Sequence, residues 1–221
     1  MRARRRMLAR TQRLFTFDRA LGSRLVAGAD EAGRGCLAGP LVAAAVLIDY
    51  ESLSRSDRLA LAGLHDSKQM DVERREEMYP AVLRAAARAS IVVRCVRGID
   101  RRGLHVTNLE ALASALEGLR PEAGATCLID GFTLRRCAVP HRRVIGGDGK
   151  SAAIAAASVL AKVTRDRYMH GIADQHPGWG FEEHVGYSTP EHRAAIERIG
   201  ISPLHRRSFQ SVAYSQLELS A

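Results

Sequence analysis

The chain has 221 residues, 46% of them hydrophobic and 26% charged, with a formal net charge of +9 and a sequence pI of about 10.0. That length suits one domain with a single substantial core, and no apolar run approaches the roughly 18 residues of a membrane-spanning helix. A basic balance of this size points to a polyanionic partner, nucleic acid before an acidic membrane surface, although an arginine-rich solvated face is the bland alternative.

In chain order, Met1 to Arg13 carries six arginines and no acid. It loosely resembles an organellar transit peptide but lacks serine enrichment, and it has no apolar core for a secretory signal. Residues 1–23 therefore read as a basic arm or solvated helix leading into the domain. Arg24 to Asp30 reads as a short strand, and Pro40 to Ile48 as a second, buried one. Ser52 to Gly63 looks like a polar, mildly helical surface excursion. Asp71 is a candidate N-cap with Glu73, Glu76 and Glu77 in the early turns. Pro80 is expected to kink or restart that helix before Ala81 to Ala89. Ser90 to Val96 is β-branched and strand-like. Thr107 to Leu119 has leucines at helical spacing. Ala125 to Ile129 and Val139 to Ile145 read as strands, and Ser151 to Tyr168 as the strongest helix. After Gly171 the chain turns loop-like, then offers a helix from Pro190 to Ile199 capped by Thr189. Strands first and helices last describe an α/β domain with a C-terminal helical appendage.

Four cysteines, Cys36, Cys95, Cys127 and Cys137, show neither C-x-x-C nor zinc-ligand spacing, which favours a reduced, cytoplasmic setting. The acids are more informative by position. Asp30 and Glu31 end one apolar strand, Asp130 ends another, and Asp148 sits in a glycine-rich turn before a helix. Strand ends in α/β sheets converge on one crevice. Carboxylates gathered there repel one another unless a cation compensates, and Mg²⁺ or Mn²⁺ suits such oxygen ligands. Each acid taken singly is better explained as a helix or turn cap; it is the four together beside glycine turns in a basic protein that favour a metal site. Gly146-Gly147-Asp148-Gly149-Lys150-Ser151 looks like a P-loop, but valine stands at position 144, where that motif needs glycine.

The stretch Asp30-Glu31-Ala32-Gly33-Arg34-Gly35, continuing to Leu37-Ala38-Gly39-Pro40, resembles the signature of ribonuclease HII. The likeness runs on through Asp66-Ser67-Lys68, Asp130-Gly131, Ala155-Ala156-Ala157-Ser158 with Ala161-Lys162-Val163, and Arg165-Asp166. Gly186-Tyr187 and His205-Arg206-Arg207-Ser208-Phe209 complete it, in the family's order from about residue 24 to 212. The resemblance implies a ribonuclease H-like fold, a central mixed five-stranded sheet flanked by helices. The type-2 domain would span 24–221, with a catalytic core at about 24–170 and a helical substrate-binding region at about 171–212.

It assigns Asp30, Glu31, Asp130 and Asp148 to Mn²⁺ or Mg²⁺ and leaves Asp166 structural. Gly33, Arg34 and Gly35 would read a ribose 2′-hydroxyl through the backbone. Tyr187 would stack on the neighbouring deoxyribose, and Lys68, Arg206 and Arg207 would contact phosphates. The implied activity is hydrolysis of the RNA strand of RNA–DNA hybrids, and cutting 5′ to single ribonucleotides in duplex DNA by a two-metal mechanism that leaves 3′-hydroxyl and 5′-phosphate ends. A monomer is expected. The tail Ser215 to Ala221 could reach a replication clamp, although no motif there supports it.

Three positions depart from the family pattern: Cys36 in place of proline, Val185 in place of lysine and Trp179 in place of tyrosine. The segment between Ile48 and Asp66 also looks long. The sister ribonuclease HIII lacks Gly-Arg-Gly and carries an extra N-terminal domain, whereas only 29 residues precede Asp30 here. A non-catalytic nucleic-acid-binding module and another nuclease or integrase of the same fold are the remaining alternatives.

Overall fold

The computed structural model describes residues 2–65, 67 and 70–209, with no account of the side chains of residues 2–7. A five-stranded sheet has the order β3-β2-β1-β4-β5, formed by β1 (Leu25–Ala32), β2 (Leu41–Asp49), β3 (Arg88–Arg94), β4 (Thr126–Asp130) and β5 (Arg142–Val144). Pairing is antiparallel from β1 through β2 to β3 and parallel from β1 through β4 to β5, so the sheet is mixed. The helices are α1 (Arg2–Arg19), α2 (Arg55–Ala60), α3 (Val72–Ala85), α4 (Val96–Arg102), α5 (Leu104–Gly118), α6 (Ala152–Ala173), α7 (Phe181–His184) and α8 (Pro190–Ile199).

The sheet is buried on both faces. Alternate residues of β2 enter opposite cores: Val42, Ala44, Val46 and Ile48 face α6, α3 and α1, while Leu41, Ala43, Ala45 and Leu47 face α5. The continuous apolar run from Leu41 to Ile48 is what a strand covered on both sides requires. Alanine-rich α6 packs close enough for backbone to meet backbone. A Cβ on Gly28 of β1 would lie 2.2 Å from the Ile154 nitrogen and 2.3 Å from the Ala153 carbonyl carbon. Leu14 and Phe15 of α1 join the same core. Asp18, also on α1 and fully buried, accepts hydrogen bonds from the Ala153 N–H at 3.0 Å and the Tyr50 hydroxyl at 2.8 Å. It thereby caps α6, whose N-terminal dipole favours a carboxylate there.

Several expectations are corrected. α3 continues through Pro80 to Ala85 rather than restarting after it. The proline removes one N–H, but Met78, Ala81 and Val82 are buried and Glu76 pairs with Arg167 of α6, so tertiary contacts hold the helix across the missing bond. Residues 86–89 leave the helix because the Ala87 N–H donates to the Leu47 carbonyl and Arg88 pairs with Leu47 as β3 begins. Val96 opens α4, a helix not foreseen, and α6 runs to Ala173 rather than ending near Tyr168. Asp71 caps α3 and Thr189 caps α8, as their sequence positions indicate.

Gly28→Ala is expected to destabilise the protein by about 3 kcal/mol through overpacking against backbone that has no rotamer escape. That corresponds to a fall in thermal midpoint on the order of 10 °C. An unchanged midpoint in a calorimetric scan would contradict the close approach of α6.

Candidate active site

Parity along the strands decides which acids meet. On β1, Val26 faces the α6 side and Ala27 and Ala29 the α5 side; Asp30 therefore projects toward α6 and Glu31 the other way. β4 runs parallel beside β1, with Leu128 opposite Gly28, so Asp130 shares the face of Asp30. Asp148 enters from a 3₁₀ turn, Gly147–Gly149, between β5 and α6. Ligand oxygens of Asp30, Asp130 and Asp148 all lie within 4.8 Å of one another. Glu31 stands outside this trio, half-buried beside it, and lines the adjoining groove.

The trio is electrostatically uncomfortable by itself. Burial first, then the negative charges of Glu31 and Asp130, raise the Asp30 carboxyl well above the usual carboxylate range. The Ser158 hydroxyl and the Glu31 N–H, which donates to Asp30 Oδ1 at 2.7 Å, offset only part of that. Asp30 Oδ2 is buried with no hydrogen-bond partner among the described residues. The Gly147 N–H donates to Asp130 Oδ1 at 2.6 Å and fixes the turn against β4. Three clustered carboxylates with an orphaned oxygen are a fitting donor set for a hard divalent cation.

Beside the acids lies a groove of about 570 Å³ lined by Glu31, Ala32, Gly33, Arg34, Gly35, Ser67, Leu104, Lys162 and Tyr187. The two glycines of the Gly33–Gly35 turn differ physically. Gly33 has φ +87°, and a Cβ there would lie 2.2 Å from Arg165 Nε, so the fold itself needs glycine. Gly35 is exposed, and a Cβ there would meet nothing within 4 Å. The Arg34 guanidinium lies 4.7 Å from the centroid of the Phe132 ring, so the turn offers the groove main chain. The Lys162 ammonium, paired with Asp166 at 2.8 Å, sits 4.7 Å from the centroid of the Tyr187 ring. Burial lowers the pKa of Lys162 and pushes the Tyr187 hydroxyl up to about 12, so the tyrosine stays protonated at neutral pH.

The family profile for ribonuclease HII matches residues 27–212. The ribonuclease HII of Nocardia farcinica is 50% identical over 187 residues, 85% of this chain and 72% of that protein; the one from Rhodococcus opacus is 46% identical over 210 residues, 94% and 90%. The chain belongs to the ribonuclease HII family. It is an endoribonuclease that cleaves the RNA strand of RNA–DNA hybrids. Among solved structures, the Pyrococcus horikoshii ribonuclease H2 superposes with a TM-score of 0.72 at 26% identity, covering 89% of this chain and 98% of that one. The Archaeoglobus fulgidus ribonuclease HII, solved in complex with PCNA, gives 0.70 at 27%, covering 85% and 96%. A Bst ribonuclease HIII shares the fold at TM-score 0.70 and 18% identity.

Against this ribonuclease HII frame, one site expectation fails. Arg206 is fully buried, and its guanidinium donates to the carbonyls of Gly39, Pro40 and Arg34 at 2.9–3.2 Å, so it is turned away from any phosphate. Arg207 is exposed, with its N–H donating to Asp100 of α4 at 3.2 Å. Lys68 and the tail from Ser215 lie outside the described residues. Val185 is buried at φ +44° against Phe181 and Met169, and Trp179 stacks on Phe181 while its indole N–H donates to the Gly200 carbonyl. Both departures from the family pattern thus serve packing of the tail module. Cys36 is buried and pairs in a β-bridge with Tyr187.

Three histidines of that module received no role from the sequence, His205 being quoted only as part of a motif, because nothing in their spacing signals contact. The Ser202 N–H donates to His205 Nδ1, so His205 Nε2 carries its proton and donates to His192 Nε2 at 3.0 Å; His192 Nδ1 in turn donates to the Tyr187 carbonyl at 2.8 Å. His184 stacks on His192 with centroids 4.2 Å apart. Burial foremost lowers His192 to about 4 and His205 to about 3 from an ordinary 6.5. The unfolded chain protonates both near 6.5 and the folded chain does not, so their contribution is intact above that pH and declines as pH falls toward about 4. Amide exchange across residues 185–205, corrected for its intrinsic pH dependence, is expected to be faster at pH 5 than at pH 7.5 while β1 and β2 stay protected. Equal protection at both values would refute this sign.

Proposed function

We propose that the chain acts on single ribonucleotides in duplex DNA as well as on longer hybrids, cutting on their 5′ side and leaving 3′-hydroxyl and 5′-phosphate ends. The observation that carries this reading is Gly35: exposed main chain in a groove next to an acid trio, at a position where the fold itself leaves room for a side chain. Glycine there serves the close approach of something outside the chain, and a ribose edge carrying a 2′-hydroxyl is that partner. Asp30, Asp130 and Asp148, with Glu31 at their margin, would hold Mn²⁺ or Mg²⁺. Such ions supply an activated water and neutralise charge on the leaving oxygen, two of them in the two-metal form.

The protein's own groups then bind and orient. Gly33, Arg34 and Gly35 present main-chain hydrogen-bonding groups to the ribose. Tyr187 offers its ring to the neighbouring sugar, and the cation behind it, Lys162, is held in place by Asp166. Arg207 and Lys68 are proposed to meet backbone phosphates, which position a duplex without reading its sequence. No described helix is long and apolar enough to cross a membrane. The four cysteines are unpaired, which fits work in the reducing cytoplasm. The Archaeoglobus fulgidus relative was solved with PCNA, and a comparable clamp contact is open to this chain; we take the enzyme to act as a monomer.

Incubation with Mn²⁺ or Mg²⁺ and a DNA duplex carrying one ribonucleotide should give a single cut, and an all-DNA control none. Equal cutting of both, or of neither, would sink the reading. Asp130→Asn should reduce turnover at least a thousandfold with the fold intact by circular dichroism. The two glycines should separate stability from activity. Gly33→Ala is expected to destabilise by about 1–3 kcal/mol through strain and overpacking. Gly35→Ala should leave the thermal midpoint within a few degrees yet weaken cleavage at the ribonucleotide tenfold or more, and full activity in Gly35→Ala would remove the argument from close approach.

A further inference from the structure

Residues 33–40 form a loop with almost no regular structure, yet they supply the groove's recognition backbone. Two arginines from distant parts of the chain, both fully buried, hold it from behind. Arg165 of α6 donates through Nε to the Pro40 carbonyl at 3.1 Å and through Nη2 to the Ala38 carbonyl at 3.0 Å. Arg206 donates through Nε and Nη2 to the Gly39 carbonyl at 3.0 and 2.9 Å, through Nη2 to Pro40 at 3.1 Å, and through Nη1 to Arg34 at 3.2 Å. Burying two guanidinium charges is costly, and the hydrogen bonds that offset it here run to main-chain carbonyls, while Arg165 Nη1 is buried with no hydrogen-bond partner among the described residues. The nearest acid to Arg165 is Asp166, with 3.9 Å between Nη1 and the carboxylate.

The bond to the Arg34 carbonyl is the informative one. That carbonyl and the Gly35 N–H belong to a single peptide unit. A charge-assisted hydrogen bond on the oxygen polarises the unit and makes the N–H on its far side a stronger donor. Gly35 is the exposed residue of the turn. Arg165 also fills the space beneath Gly33 and lies 5.4 Å from the centroid of the Tyr187 ring, so one cation supports both the turn and the tyrosine.

We propose that Arg165 and Arg206 are positioning residues for ribose discrimination: from the protein interior they fix the 33–40 loop and polarise the Arg34–Gly35 peptide that faces the 2′-hydroxyl. This rests on the ribose reading proposed above. Lysine cannot replace either, because a single ammonium does not span carbonyls that a planar fork reaches together.

Binding by fluorescence anisotropy tests it, using wild type, Arg206→Lys and Arg165→Lys in metal-free buffer. The probes are matched duplexes, one all DNA and one with a single ribonucleotide. Wild type is expected to prefer the ribonucleotide duplex. Each variant should lose that preference tenfold or more while keeping its affinity for the all-DNA duplex within threefold, since phosphate contacts are untouched. Amide exchange should rise in residues 33–40 and not in β1. Retained preference in both variants overturns the inference, and so does a parallel loss of affinity for both duplexes, which is what a merely structural role produces. A wild type without any preference would instead overturn the ribose reading itself. Because Arg165→Lys leaves every Arg206 bond in place, it decides the matter even if Arg206→Lys fails to fold.

Discussion

The backbone-to-backbone contact between α6 and β1 is the constraint on which the rest depends. Gly28 and the alanines from Ala152 to Ala157 let the helix lie directly on the strand. Once α6 is seated there, its length does the positioning. The turn holding Asp148 lies at its start, Ser158 stands near Asp30, and Lys162 and Arg165 follow one and two turns later beneath Tyr187 and the 33–40 loop. One rigid element therefore sets the distance between the acid trio and the groove beside the 33–40 loop. Both helix termini are anchored independently, Asp18 capping the first turn and Met169 packing under the tail module.

The site places like charges at both of its ends. Acids are concentrated at the strand ends of a protein whose net charge is +9. Buried cations are concentrated under the loop beside them. Neither arrangement stabilises the free protein: the Asp30 carboxyl is raised by burial first and by repulsion from Glu31 and Asp130 second, and the two buried guanidinium groups carry a desolvation cost. Opposed charges kept a few residues apart instead of neutralising one another are what a substrate with both phosphate anions and metal counterions would call for. The stability lost here is recovered in the two apolar cores on either side of the sheet.

What was legible in the sequence follows the range of the physics involved. Strand alternation and helix caps are local, so β1, β2, α8 and the caps Asp71 and Thr189 could be read directly. The convergence of Asp30, Asp130 and Asp148 followed from strand ends meeting, a rule of sheets. Glu31, next in the strand, alternates to the other face and so reaches the same acids only from the margin, where its charge still acts on Asp30. Pro80 misled because the penalty it carries is local while the compensation, Glu76 with Arg167 and the buried Met78 face, is tertiary.

Arg206 is the sharper case. In a basic tail beside Arg207, its residue type suggests phosphate contact, and nothing in the local pattern tells the two apart. The difference arises from the chain's return path. The Arg206 N–H bonds the Leu37 carbonyl and Ala38 forms an isolated antiparallel bridge with His205, so this stretch is laid directly against the 33–40 loop. At that bridge one of the two neighbouring arginines, Arg206, goes inward, while Arg207 enters a turn and stays exposed. The one that does finds carbonyls with no other partner strand to satisfy them. A loop whose outer edge lines an open groove is not stitched into a sheet on that side. Its inner carbonyls then need donors that come from side chains, and a planar cation with five N–H groups can satisfy several of them from one position.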